Sequence, residues 1–163
     1  MIYMFDNYES TDEELTPEEV ELRNTCRGLT DEEFFAIKPI WCIEPEDLQL
    51  WMTHPEISGD IYVRCNLNKL IQISDNLFSV HFSRKFNGPW WEEERFCKTL
   101  IERWQKGLGV DPPFVSFING HSSFGDGRHR TVLAKELGAE SIIIRINPNS
   151  FEIAHHLVDA ERI

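Results

Sequence analysis

At 163 residues the chain is long enough for one domain with a real hydrophobic core and short for two. With 41% hydrophobic and 27% charged residues it reads as a soluble globular protein, and no apolar run approaches the ~18 residues of a membrane helix, so no membrane partner is expected. The net charge of -12 is concentrated: residues 1–60 hold 16 Asp and Glu against Arg23, Arg27 and Lys38, while residues 61–163 hold 12 acidic and 13 basic side chains. An acidic balance normally argues against nucleic acid; here it belongs to the first third of the chain, where solubility is its plainest use. The opening MIYMFDNYESTDEEL has neither the basic nor the apolar region of a signal peptide, which points to the cytoplasm. Cys26, Cys42, Cys65 and Cys97 form no C-x-x-C pair, so buried free thiols are expected rather than a zinc knuckle.

In chain order, Met1–Leu15 lacks a period and reads as an arm. Thr16-Pro17-Glu18-Glu19 starts a helix, with proline at its first position and acids in its first turn; it should end near Gly28. Thr30-Asp31-Glu32-Glu33 is a capping box that opens a second helix carrying Phe34, Phe35 and Ile37 and stopping before Pro39. Glu44-Pro45-Glu46-Asp47 opens a third, with Leu48, Trp51 and Met52 as its apolar side and Pro55 as its end. The pattern then changes: Ile61–Cys65 and Leu77–Phe82 alternate like half-buried strands. After the turn Asn87-Gly88-Pro89, residues Trp90–Leu108 repeat Phe96, Leu100, Ile101, Trp104 and Leu108 at helical spacing. Pro112-Pro113 lead into a strand Phe114–Ile118, a two-residue turn Asn119-Gly120, and a return strand His121–Phe124. A loop follows, then a helix Thr131–Leu137 closed by Gly138, an apolar strand Ser141–Ile146, and a last helix from Phe151 to about Ala160. This predicts an α+β fold, a mixed sheet packed with helices, with residues 1–55 as an acidic helical N-terminal extension and residues 56–163 as the domain proper.

The loop Gly125-Asp126-Gly127-Arg128-His129-Arg130 stands out chemically. Two glycines permit a sharp turn and close approach of a ligand to the backbone. The unpaired amides of a following helix N-terminus bind anions. Arg128 and Arg130 offer guanidinium forks that match phosphate oxygens, and His129 can donate from a ring nitrogen. An ordinary charged turn before a helix has the same composition, so the motif alone leaves both readings open.

The flanking elements extend the pattern. Pro112-Pro113-Phe114-Val115-Ser116-Phe117, the hairpin, the Asp126-Gly127-Arg128-His129-Arg130 loop, the Ala-Lys-Glu-Leu-Gly helix end and the strand Ile142–Ile146 together resemble the ParB/sulfiredoxin superfamily, over about residues 61–147. That resemblance implies a ParB/sulfiredoxin-like sheet and a loop that binds nucleotide phosphates, with Gly125, Gly127, Arg128, His129, Arg130 and Thr131 as binding residues. A hydrolase at such a loop needs a carboxylate for Mg²⁺ or the attacking water, and Asp126 is the first candidate, with an Asx turn or cap as its structural alternative; Asp126, His129 and Arg130 are the expected catalytic set and ATP or another nucleotide the expected ligand. Sulfiredoxins carry a catalytic cysteine in G-G-C-H-R where this chain has Arg128, which argues against thiol chemistry. The Gly-Glu-Arg-Arg and later Asn-Gln-Arg motifs of ParB clamps are not matched, so a ParB clamp is not expected. The expectation is therefore a small member acting as a nucleotide-binding phosphohydrolase, an ATPase and possible DNase of plasmid or phage conflict. The alternative expectation is a non-catalytic regulator that binds a host or rival protein through its acidic surface.

Other residues are weaker candidates. Glu92-Glu93-Glu94 reads as the acidic first turn of a helix, although one carboxylate could reach the site. Trp90-Trp91 could stack a base, yet tryptophans at helix starts more often pack on a core. Arg64 reads as a solvent-facing strand arginine, His121 as structural, and His155-His156 as a poor chelating pair on a helix. Residues 61–135 hold 11 basic against 7 acidic side chains, a mild bias toward a DNA partner.

Overall fold

A computed structural model describes residues 14–47, 59–77, 80, 82 and 88–163. Helices α1 (Pro17–Arg27) and α2 (Asp31–Ala36) begin where their caps predict. In each, a threonine side chain accepts the third amide, and a glutamate reaches back to the threonine amide: Thr16 with Glu19, and Thr30 with Glu33. Of the third expected helix only a 3₁₀ turn, Pro45–Asp47, lies among the described residues; Leu48–Pro55 lie outside them. Strand β1 (Ile61–Asn66) alternates as expected, with Val63 and Cys65 buried and Arg64 exposed. It runs into a helix the periodicity did not reveal, α3 (Leu67–Gln72), capped by the Asn66 side chain and burying Leu67 and Leu70. The expected strand over Leu77–Phe82 falls largely outside the described residues; Leu77 and Val80 are buried.

The predicted helix over Trp90–Leu108 is divided. Helix α4 (Trp90–Cys97) passes into a π-helical turn, Lys98–Arg103, then a 3₁₀ turn, Trp104–Lys106, ended by Gly107 at φ +75°. Phe96, Leu100, Ile101 and Trp104 are buried as their spacing predicts. The Trp104 indole donates to Ile40 C=O at 2.9 Å, and the Arg103 guanidinium donates twice to Gly109 C=O, at 3.0 and 2.7 Å, fixing the end of this segment.

Strands β2 (Phe114–Ile118) and β3 (His121–Asp126) form the hairpin. Asn119 and Gly120 take φ +52° and +78°, the pair of positive values that a two-residue type I′ turn needs. Helix α5 (Arg128–Glu136), strand β4 (Ser141–Ile146), helix α6 (Phe151–Val158) and the two-residue strand β5 (Glu161–Arg162) complete the order. The last helix stops two residues earlier than expected because Asp159 turns left-handed at φ +55°, sending the chain back to the sheet.

The fold is thus mixed α+β, with one five-stranded sheet ordered β3-β2-β4-β1-β5. Strand β1 is antiparallel to β4 and β5, β2 antiparallel to β3, and β2 parallel to β4. Strand β4 is central, which explains its apolar character: Ile142, Ile143, Ile144 and Ile146 are all buried. Arg145 sits buried in the same strand. It is neutralised by Asp60, 2.8 Å away and also largely buried, and lies over the Phe114 ring at 5.7 Å. The N-terminal helices share this core: Leu22, Cys26, Phe34 and Ile37 join one buried cluster with Phe96, Cys97 and the sheet residues. All four cysteines are free and buried. Among the described residues no helix is long and apolar enough to cross a membrane.

Candidate anion-binding cleft

The six-residue loop expected between β3 and α5 is a single residue. Strand β3 continues through Gly125 and Asp126, Gly127 is the hinge at φ +87°, and the helix begins at Arg128, three residues before the expected start. Glycine is required there twice over. A side chain would strain the left-handed backbone, and a Cβ would lie 2.4 Å from Pro113 Cβ. At Gly125 the register between β2 and β3 slips, pairing Phe114 with Asp126 but Val115 with Phe124, and a Cβ would meet the Phe114 ring at 2.8 Å. The Asn76 side chain clamps the strand just before this bulge, donating to Phe124 C=O (2.8 Å) and accepting from Phe124 N–H (2.9 Å).

The hinge determines what the helix start presents. The first intrahelical bond is Thr131 N–H to Gly127 C=O at 3.0 Å, so the amides of Arg128, His129 and Arg130 precede the helical ladder. Gly127, the N-cap, has no side chain to satisfy them. Helices α1, α2 and α3 receive side-chain caps from Thr16, Thr30 and Asn66, whereas α5, like α4 and α6, receives none.

The α5 N-terminus faces a cleft of about 610 Å³. Gly125, Asp126, Gly127, Arg128, His129 and Arg130 line one part of it. Arg95, Lys98, Thr99, Glu102 and Arg103, from α4 and its π turn, line another, and Val110 and Asp111 complete it. The π turn carries four of these lining residues, consistent with the tendency of such turns to mark functional sites. Five cations (Arg95, Lys98, Arg103, Arg128, Arg130) therefore meet three carboxylates (Glu102, Asp111, Asp126).

The predicted residues occupy distinct positions. Asp126 is half exposed and accepts from Arg130 Nη2 at 2.8 Å, which orients that guanidinium along the first helical turn. His129 is mostly buried, its ring 5.3 Å from that of Phe96 and its Nε2 3.8 Å from Glu92 Oε1. Burial, reinforced by the charges of Arg95, Arg128 and Arg130, lowers the His129 pKa to about 4, so the imidazole is neutral at pH 7. Thr131 stands apart: it is fully buried and its hydroxyl donates to Gly127 C=O at 2.9 Å, so it holds the hinge from inside while the other five predicted binding residues line the cleft. Arg95, Lys98, Arg103 and Asp111 were not singled out by the sequence; on a linear reading the first three are the polar face of an amphipathic helix.

Elsewhere, Arg64 is exposed on β1, His121 pairs with Asp75 at 3.2 Å, and His155 Nδ1 lies 2.8 Å from Ala160 O. None of the four cysteines lines the cleft. Among the described residues no three His, Cys, Asp or Glu side chains gather as a metal cage. Mg²⁺ needs no such cage when phosphates supply its other oxygens, and the carboxylates of Asp126, Asp111 and Glu102 are donors of the right kind. Comparison with protein-family models, curated proteins and solved structures gives no match for this chain.

Proposed function

We propose that the cleft binds the phosphates of a nucleotide, and that the protein is a nucleotide-binding phosphohydrolase of the ParB/sulfiredoxin type. One observation carries the reading: an uncapped helix N-terminus and five cationic side chains converge on a single cleft of ligand size. In this reading the α5 amides and the Arg128 and Arg130 guanidiniums hold phosphate oxygens, and Arg95, Lys98 and Arg103 balance the charge that a polyphosphate brings. Neutral His129 acts as a donor or proton acceptor at the phosphate. Asp126 orients Arg130 and would contribute a carboxylate oxygen to Mg²⁺, which when bound would polarise a phosphoryl oxygen. Arg128, standing where sulfiredoxins keep a thiol, and four buried cysteines of which none lines the cleft favour phosphate chemistry over thiol chemistry. No described residue of the acidic segment 14–47 lines the cleft.

Isothermal titration calorimetry with ATP and CTP, each with Mg²⁺, tests the proposal. Wild-type protein should bind at least one of them. Arg130→Ala should weaken binding about ten- to a hundredfold, the worth of a charge-assisted contact. Absence of binding by wild type to both would overturn the reading.

A further inference from the structure

Trp91 is 59% exposed, unusual for a residue type that is mostly buried, while its neighbour Trp90 packs against the core. It lies in the first turn of α4, four residues before the cleft-lining Arg95, so the two side chains share one helix face. The Arg95 guanidinium lies 6.0 Å from the centroid of the Trp91 ring. Arg95 also lines the cleft together with Arg128, His129 and Arg130. One cation therefore stands between an exposed aromatic face and the anion cradle.

We infer that Trp91 and Arg95 form a stacking subsite at the rim of the cleft, which takes the planar base of a phosphate ester whose phosphates lie on the α5 N-terminus. The inference rests on the cleft being a phosphate site and adds what selects its ligand. An indole face holds any nucleobase because every base has a π-face, and a guanidinium beside it contributes a cation–π contact and reaches the first phosphate. Inorganic polyphosphate, or a phosphorylated sugar without a ring system, would fill the cradle and leave Trp91 in water.

The test compares ATP, CTP and inorganic triphosphate by calorimetry on the full chain, as wild type, Trp91→Ala and Trp91→Phe. Stacking predicts that wild type binds the better nucleotide about five- to a hundredfold more tightly than inorganic triphosphate. Trp91→Ala should remove that preference while the affinity for inorganic triphosphate changes less than about twofold, because no phosphate contact is lost. Trp91→Phe, which keeps a ring, should retain most of the preference and guards against a folding defect in the alanine variant. If wild type binds inorganic triphosphate as well as either nucleotide, the stacking subsite is wrong and the phosphate cleft stands. An equal weakening of all three ligands in Trp91→Ala, or no weakening of any, also overturns the subsite. If wild type binds none of the three, the cleft reading and the subsite fall together.

Discussion

His129 shows how much a single position depends on the fold around it. In the sequence it is one of three basic residues in a row, and a cation at the mouth of an anion site would be the simple expectation. Folded, it packs on Phe96, and burial together with the charges of Arg95, Arg128 and Arg130 lowers its pKa from 6.5 to about 4. The sign of the consequence follows directly. Between pH 6.5 and 4 the unfolded chain binds a proton at this site and the folded chain resists it, so the site favours folding fully above pH 6.5 and loses that advantage as pH falls toward 4. A shift of this size corresponds to roughly 3 kcal/mol. His129→Gln should therefore flatten the pH dependence of stability across that window. Urea unfolding of both proteins at pH 7.0 and 4.5 measures the difference, with the titrating carboxylates cancelling between them. An unchanged pH slope would show that the imidazole takes up its proton over the same pH range in the folded chain as in the unfolded one.

At the scale of elements, what was legible was local. The starts of α1 and α2 and the β2–β3 turn were readable because a threonine, a glutamate three residues on, or an Asn-Gly pair supplies its own partner within a few residues. The α5 start was misplaced by three residues because Gly127 compresses the strand-to-helix change into one backbone step, which composition does not reveal. The second wall of the cleft was not legible at all: Lys98 and Arg103 meet Arg128 only because α4 packs against α5. The placement of α4 itself rests on a bond no local pattern shows. Glu93, 2% exposed, accepts from Arg27 Nε and Nη2 at 2.7 and 2.9 Å and ties the end of α1 to α4. Arg27→Ala leaves a buried carboxylate without its partner, and because Arg27 is itself 41% exposed, water relieves part of the loss, giving an expected cost of about 2 kcal/mol. The double variant Arg27→Leu/Glu93→Leu should recover most of it, since no charge then remains buried. Chemical denaturation of the three proteins decides: a double variant as unstable as the single one would mean that packing, not charge, is what Arg27 provides.

For the whole molecule, the division of charge in the sequence does not match a division of structure. The acidic first third invites a reading as an appended surface, yet its helices are built into the one core. Leu22, Cys26 and Phe34 are buried in the cluster that contains Phe96 and Cys97. The next segment bonds to the far end of the cleft wall, Cys42 N–H to Val110 C=O at 2.8 Å and Val110 N–H to Ile40 C=O at 3.0 Å. Removing residues 1–42 would expose one side of α4 and strip Val110, a cleft residue, of both backbone partners. The truncated chain is expected to lose its cooperative unfolding transition and to bind a hydrophobic dye such as ANS at 25 °C. Its loss of nucleotide binding would then report unfolding and say nothing about what the acidic surface contacts. Neutralising exposed carboxylates that make no cap, as in Glu18→Gln/Glu21→Gln/Glu32→Gln, separates the two questions, because surface changes of this kind usually move stability by about 0.5 kcal/mol or less. That triple variant should keep both its melting transition and its affinity for nucleotide, since the carboxylates lie on helices that do not line the cleft. A truncated chain that still unfolds cooperatively would show instead that residues 59–163 fold alone and that the N-terminal helices are an addition to a complete domain.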